Sequence, residues 1–384
     1  MGIVAHAELG GSGTVATDLA MGLAERGHEV HMITPRRPFR LRDECDVRVH
    51  ELEPSTHEMW DAAPWGLALA SHVAEVASRF ELEVLHAHFA VPYAASTELA
   101  CRMLGDRAPL WIVTLHGSDV DPLGRDPAYA PVVRFALSRA HAITVPSRYL
   151  RGAATELAAG RPITVIPNFV DPQRFDVDPD RRSPAEREPL VVHASNFRHV
   201  KRVQDVVDVF ARLATELPAR LLLVGDGPEL KPALDRLASM GLADRVQAPG
   251  AQRDIERWLA RAHLALVPSE HESFGLAALE ALACGVPVVG SDVGGLPEVV
   301  EHGRMGYLLP VGDVDAMAER ARGLLTDDGR WEAMASAARE HAQAHFAPSR
   351  TLDAYEAVYG AAIDAPTADV GPVEALPPHP LHDA

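Results

Sequence analysis

Short apolar runs alternate along the chain with longer stretches whose apolar residues recur every three or four positions. The runs Gly2–Ala5, His28–Thr34, Val84–Ala87, Leu110–Leu115, Ala142–Val145 and Ile163–Ile166 predict strands. Thr14–Arg26 predicts a helix stopped by Gly27, since glycine takes the left-handed conformation that ends helices. Strands separated by helical crossovers pair in parallel, so residues 1–170 predict a doubly wound α/β domain. Chemistry in such sheets lies beyond the C-terminal ends of the strands.

Residues 171–189 interrupt the pattern. They are rich in Asp, Arg and Pro, present no apolar face, and predict a linker. A second alternation follows at Leu190–Ala194, Leu221–Val224, Val246–Pro249, Leu264–Pro268, Val286–Ser291 and Gly306–Pro310. It predicts a second Rossmann-like domain over 190–345. Residues 346–363 predict a C-terminal helix able to pack back on the first domain, and the Pro-rich stretch 364–384 predicts a disordered tail. Two facing domains of this kind predict a cleft that encloses two substrates and excludes water.

Composition narrows the function classes. A net charge of −18 excludes nucleic acid as a partner, because phosphates demand a basic surface. A small anion is still allowed, since a local Arg/Lys cluster overrides the global sign. Cys45, Cys101 and Cys284 are too widely spaced for a zinc site and predict no disulfide framework, as in a reducing cytoplasm. The first strand begins without a basic leader, and no apolar run approaches the ~20 residues that span a bilayer, so a cytoplasmic protein without a membrane partner is expected. Homo-oligomerisation is compatible with all of this.

Five constellations carry candidate chemistry. His271-Glu272-Ser273-Phe274-Gly275-Leu276 leads from a buried strand into a helix, where free backbone N–H groups favour an anion. Glu272 and Glu280 there can accept hydrogen bonds from sugar and ribose hydroxyls. Ser195-Asn196-Phe197-Arg198-His199-Val200-Lys201-Arg202 concentrates cations after the first strand of the second domain, suited to a leaving group that gains negative charge. Gly10-Gly11-Ser12-Gly13 joins the first strand to the first helix and lets a phosphate or sugar approach the backbone. Thr114-Leu115-His116-Gly117-Ser118-Asp119 places a histidine at a strand's C-terminal end. His86-Ala87-His88 puts two imidazoles on one strand face, but no third ligand has recognisable spacing, so no metal is expected.

The stretch from Glu272 through Glu280 to Gly294-Gly295-Leu296-Pro297-Glu298 resembles the E-x7-E signature of family-4 glycosyltransferases of the GT-B fold. The resemblance implies a metal-independent, cofactor-free, retaining transfer from a UDP-sugar. Glu272 would hold donor-sugar hydroxyls, Glu280 the ribose, and Ser273, Phe274, Gly275 and Leu276 the sugar and phosphates through backbone amides. The family often has Gly-Arg-Leu where this chain has Ser195-Asn196-Phe197, which moves the expected arginine role from Asn196 to Arg198, with Lys201 retained. Gly13 and Asn196 would also line the donor site, and His116 would face the donor sugar through its ring or its backbone carbonyl.

Collinear stretches from Gly10–Thr17, His88–Ala94, Thr114–Val120 and Val133–Phe135 to Ser195–Asp205 and Leu222–Glu229 are similar to one subfamily, the bacillithiol-pathway synthases that join GlcNAc to L-malate. UDP-GlcNAc and L-malate are the substrates this implies. Malate's carboxylates need a cation and neutral donors, and Arg134 with Ser12, Tyr93 and Thr114 can supply them. Another acceptor, such as inositol phosphate or a glycan, stays open. From a different class, Gly11-x-Gly13-x-x-Ala16 with Arg36-Arg37 also fits an NADP-dependent oxidoreductase, although that chemistry leaves the second domain's motifs without a task.

Overall fold

Strand residues that are apolar on both faces can be buried only by a sheet covered on both sides. The computed structural model describes residues 1–7, 10–53, 63–186 and 188–364, and these form two such units. The tail beyond Asp364 lies outside the described residues. Among the described residues, one unit comprises Met1–Pro167 and residues 349–364, and the other begins at Asn168 and runs to Pro348.

In the first unit the strands are β1 (Gly2–Val4), β2 (Val30–Thr34), β3 (Val47–Glu51), β4 (Val84–His88), β5 (Leu110–Thr114), β6 (Ala142–Val145) and β7 (Ile163–Val165). All pair in parallel in the order β3-β2-β1-β4-β5-β6-β7. Its helices are α1 (Gly11–Glu25), α2 (Trp65–Arg79), α3 (Ala95–Leu104), α4 (Ala130–Arg139) and α5 (Arg148–Ala154). Alternation divides the strand residues: Val4, Leu85, Trp111 and Ile143 pack under α2 to α5, while Ile3, Met32, Val84 and Ile112 pack under α1 and the last helix. β3 was not expected, because Val47-Arg48-Val49-His50-Glu51 carries only two apolar residues. It is an edge strand, and an edge needs little burial.

The second unit holds β8 (Leu190–Ser195), β9 (Arg220–Gly225), β10 (Val246–Gly250), β11 (Leu264–Val267), β12 (Val288–Ser291) and β13 (Gly306–Leu309), all parallel in the order β10-β9-β8-β11-β12-β13. Helices α6 (Val203–Glu216), α7 (Leu230–Ser239) and α10 (Val314–Leu325) cover one face. The other is covered by α8 (Ile255–Leu259), α9 (Leu276–Ala283) and α11 (Asp328–His345). Sheet order reverses at β1/β4 in one unit and at β8/β11 in the other, and such switch points are where α/β sheets receive ligands.

The stretch 171–189 is not a free connector. Phe175 is buried in the second unit's core, and Arg181 donates to Ala260 O, Ala262 O, Cys284 O and Gly285 O while stacking on Trp331. Composition hid this because the anchoring side chain is itself charged. Its cation caps the C-terminal end of α9, where the helix dipole favours positive charge. The last helix, α12 (Pro348–Asp364), closes the first unit's sheet: Leu352, Tyr355, Val358 and Tyr359 are buried there, and Arg26 clamps Asp353 and Glu356.

Candidate functional site

In the second unit the predicted residues converge. The loop after β8 turns sharply at Phe197 (φ 44°), whose ring is fully buried. His193 holds it from beneath. Its Nδ1–H donates to Leu266 O at 2.9 Å, so its Nε2 accepts from Ser195 Oγ at 2.9 Å, and Ser195 Oγ accepts from Phe197 N at 3.0 Å. Burial lowers the His193 pKa to about 4, so this imidazole is a neutral strut. Sequence reasoning missed His193, since nothing in a strand histidine announces its tautomer.

Beyond the turn, Lys201 Nζ meets Glu272 Oε1 at 2.5 Å, and Ser269 Oγ donates to the same oxygen at 2.9 Å. Glu270 N donates to Val200 O at 2.9 Å, stitching the β8 loop to the β11 loop across the switch point. A cation expected at a diphosphate and a carboxylate expected at sugar hydroxyls are thus immediate neighbours. Arg198 is exposed at the tip of the same loop and makes no ion pair among the described residues. Asn196 is partly buried, and its Oδ1 has no hydrogen-bond partner.

Glycines set the shape of both loops. A Cβ on Gly225 or Gly227 would overlap the carbonyl oxygens of Ser195 and Asn196, and both glycines have positive φ. A Cβ on Gly294 or Gly295 would likewise overlap Glu272 O and Ser273 O, and Gly295 N donates to Glu272 O at 2.9 Å. The Gly225-Asp226-Gly227 and Gly294-Gly295 motifs therefore press backbone against backbone under the candidate site. Gly275 (φ 102°) caps the start of α9, whose side chains offer no cap, so N–H groups at Leu276 and beyond remain for a ligand. Ser273 and Phe274 precede it, Phe274 buried. Glu280 lies within α9, 4% exposed.

The first unit is organised differently. Gly10 precedes α1 without a side-chain cap, and Ser12 and Gly13 fall in its first turn. Tyr93 sits in the wide turn 90–94 after β4, its hydroxyl 3.0 Å from His6 Nδ1, which ties the β1 loop to the β4 loop. His116 Nε2 is 3.0 Å from His88 Nδ1, with the rings stacked. Asp119 is fully buried and carries a structural load that sequence reasoning did not assign. Its Oδ1 accepts from His116 N and Gly117 N at 3.0 and 2.8 Å, and its Oδ2 from Ala90 N at 3.1 Å. Burial pushes its pKa up to about 6 against those three donors.

One acceptor candidate does not join this group. Thr114 is 1% exposed, and its hydroxyl is committed to His86 Nε2 (2.7 Å), Thr144 Oγ1 (2.5 Å) and Tyr355 OH (3.3 Å), under α12. Strand alternation turned it to the sheet face rather than to the strand end. His86 completes that seam with Nδ1 2.9 Å from Tyr359 OH, so both its ring nitrogens are occupied. Arg134 is exposed on α4, the helix that packs against the 90–94 turn, and makes no ion pair among the described residues. No group of three or more His, Cys, Asp or Glu side chains suited to a metal occurs among them either. No helix among the described residues is long and apolar enough to cross a membrane.

Two parallel α/β units with loops of this kind at their switch points define a glycosyltransferase frame, and the chain belongs to the family-4 glycosyltransferases of the GT-B fold. Residues 9–174 match the family model described as Glycosyltransferase Family 4, and residues 188–327 match Glycosyl transferases group 1. The chain is 41% identical to N-acetyl-alpha-D-glucosaminyl L-malate synthase of Bacillus anthracis over 94% of this chain and 96% of that protein. It is 30% identical to D-inositol 3-phosphate glycosyltransferase of Thermobispora bispora, over 93% and 91% of the two chains. Sucrose-phosphate synthase of Thermosynechococcus elongatus has the same fold, with a TM-score of 0.78 at 22% identity, over 95% of this chain and 99% of that one.

Proposed function

We propose that this enzyme transfers GlcNAc from UDP-GlcNAc to the hydroxyl of L-malate, with retention at the anomeric carbon. The observation that carries the reading is the Lys201–Glu272 pair at the β8/β11 switch point, in a chain 41% identical to the malate synthase across almost the full length of both. Glu272 would exchange its ion pair for donor-sugar hydroxyls, releasing Lys201, with Arg198 beside it, to the diphosphate. Bond-making from the malate hydroxyl and bond-breaking to UDP would occur on one face of C1, and the departing phosphate oxygen would take the hydroxyl proton. Such a transition state needs placed charge rather than a protein nucleophile, and two cations on one loop supply it without a resident metal or cofactor. Ser12, Tyr93 and Arg134 are the proposed malate contacts, and Thr114 is withdrawn from that set.

The test is UDP release from UDP-GlcNAc with malate, with inositol 3-phosphate, or with no acceptor. Malate-dependent release is expected. Release that depends instead on inositol 3-phosphate would favour the activity named for the Thermobispora relative. Release without any acceptor would overturn the acceptor assignment.

A further inference from the structure

His88 ends β4, is 1% exposed, and is bonded through Nδ1 to His116 Nε2. Its own Nε2 is buried and has no hydrogen-bond partner, while His116 is only partly buried and its Nδ1 makes no protein hydrogen bond among the described residues. One proton lies between the two rings, and two arrangements are possible. If His116 donated, His88 would carry its proton on Nε2, a buried N–H with nothing to receive it. If His88 donates, the buried atom is a bare acceptor. Orphaned buried N–H groups are the rarer and costlier defect.

We propose that His88 is a positioning residue that fixes the tautomer of His116, leaving Nδ1–H of His116 as a donor to an oxygen of the sugar nucleotide. The proposal rests on the glycosyltransfer reading for its ligand, but not for the tautomer itself. Stacking of the rings, centroids 5.2 Å apart, and the Asp119 bonds to His116 N and Gly117 N fix the direction in which that donor points. His86 packs on the other side of His88 with centroids 4.2 Å apart and both nitrogens taken by Tyr359 and Thr114, so it does not compete for the His88 proton.

Two-bond proton–nitrogen correlation spectra of the histidine-labelled protein, without substrate, report which ring nitrogen carries hydrogen. The expected result is a proton on Nδ1 of both His88 and His116, the two resonances being assigned by their loss in single-histidine variants. A proton on Nε2 of His116 would overturn the proposal. In turnover, His88→Leu is expected to lower kcat about tenfold with both KM values nearly constant, as the loss of one aligned hydrogen bond would. His88→Asn, which offers an amide N–H where Nδ1 stood, should recover the rate to within about threefold of wild type. Equal losses in Leu and Asn would count against the tautomer role. Failure of malate-dependent UDP release would leave the spectra unaffected, so the two readings fail separately.

Discussion

The two switch points solve different problems. At β8/β11 glycines press the loop after β9 against the β8 loop and the loop after β12 against the β11 loop, and a backbone hydrogen bond and an ion pair cross between them, so backbone contact largely determines where Lys201 and Glu272 lie. At β1/β4 the glycines are loose: a Cβ on Gly10 or Gly11 would touch nothing within 4 Å. Order there comes from side chains instead, through the Asp119 carboxylate and the buried imidazoles. The same residue type thus carries close backbone contact in one unit and leaves open space in the other.

The sharpest way to break that contrast is Gly225→Ala. The added methyl would collide with the Ser195 carbonyl at φ 129°, combining overpacking with a left-handed strain. A loss of roughly 3 kcal/mol or more is expected, read as a lower urea midpoint or as insoluble protein. A variant within 1 kcal/mol of wild type (roughly the scatter of ordinary substitutions) would show that the loop does not depend on this close approach.

Next come the charges. Lys201→Ala should lower kcat about 10- to 150-fold, the worth of one charge-assisted hydrogen bond in the transition state. Arg134→Ala should instead raise the malate KM about tenfold with kcat nearly unchanged, as loss of the proposed uniform binding of the acceptor would. Parallel losses of kcat and KM in both variants would dissolve the division between a rate-setting second unit and an acceptor-binding first unit.

These cases show what was legible beforehand. All the expected strands formed, because a doubly wound sheet writes its core as apolar runs that local pattern can read. That the second unit's candidate residues come together was legible as well, through the resemblance carried by Glu272–Glu298 and Ser195–Asp205 and the cations after β8, whereas the steric role of its glycines shows only in the fold. The first unit's site was less so. Thr114 was chosen for its place at a strand end, but which face a strand residue serves depends on the helix above it, and α12 arrives more than 200 residues later. Asp119 and His193 went unassigned for a related reason: their partners are backbone groups and buried rings that no local pattern specifies.

Acidification should separate the units more gently. Burial holds the imidazoles of His86 and His116 near about 3, and that of His193 near about 4, all below the ordinary 6.5. Between those values the unfolded chain binds more protons, so stability is full above pH 6.5 and falls as pH drops below it. At pH 5 a single such histidine costs roughly 2 kcal/mol. Asp119 works in the opposite sense, its raised pKa of about 6 favouring the folded state as pH falls through that value. Because most of these histidines sit in the first unit, its strands should lose amide-exchange protection first between pH 7.5 and 5. Uniform loss across both units would contradict the assignment of neutral buried rings.

The smallest expected effect on stability is the most informative about function. Gly11→Ala adds a methyl to the first turn of α1, where nothing lies within 4 Å, and alanine is the better helix former. Stability should therefore stay within about 0.5 kcal/mol of wild type, with a gain as reasonable as a loss. If the glycine is present so that a substrate can reach the uncapped N–H groups of α1, turnover should fall even though folding does not. An unchanged rate alongside unchanged stability would mean that no ligand approaches this backbone, and any substrate contact in the first unit would then have to come from side chains such as Tyr93 and Arg134 and from the His116 loop.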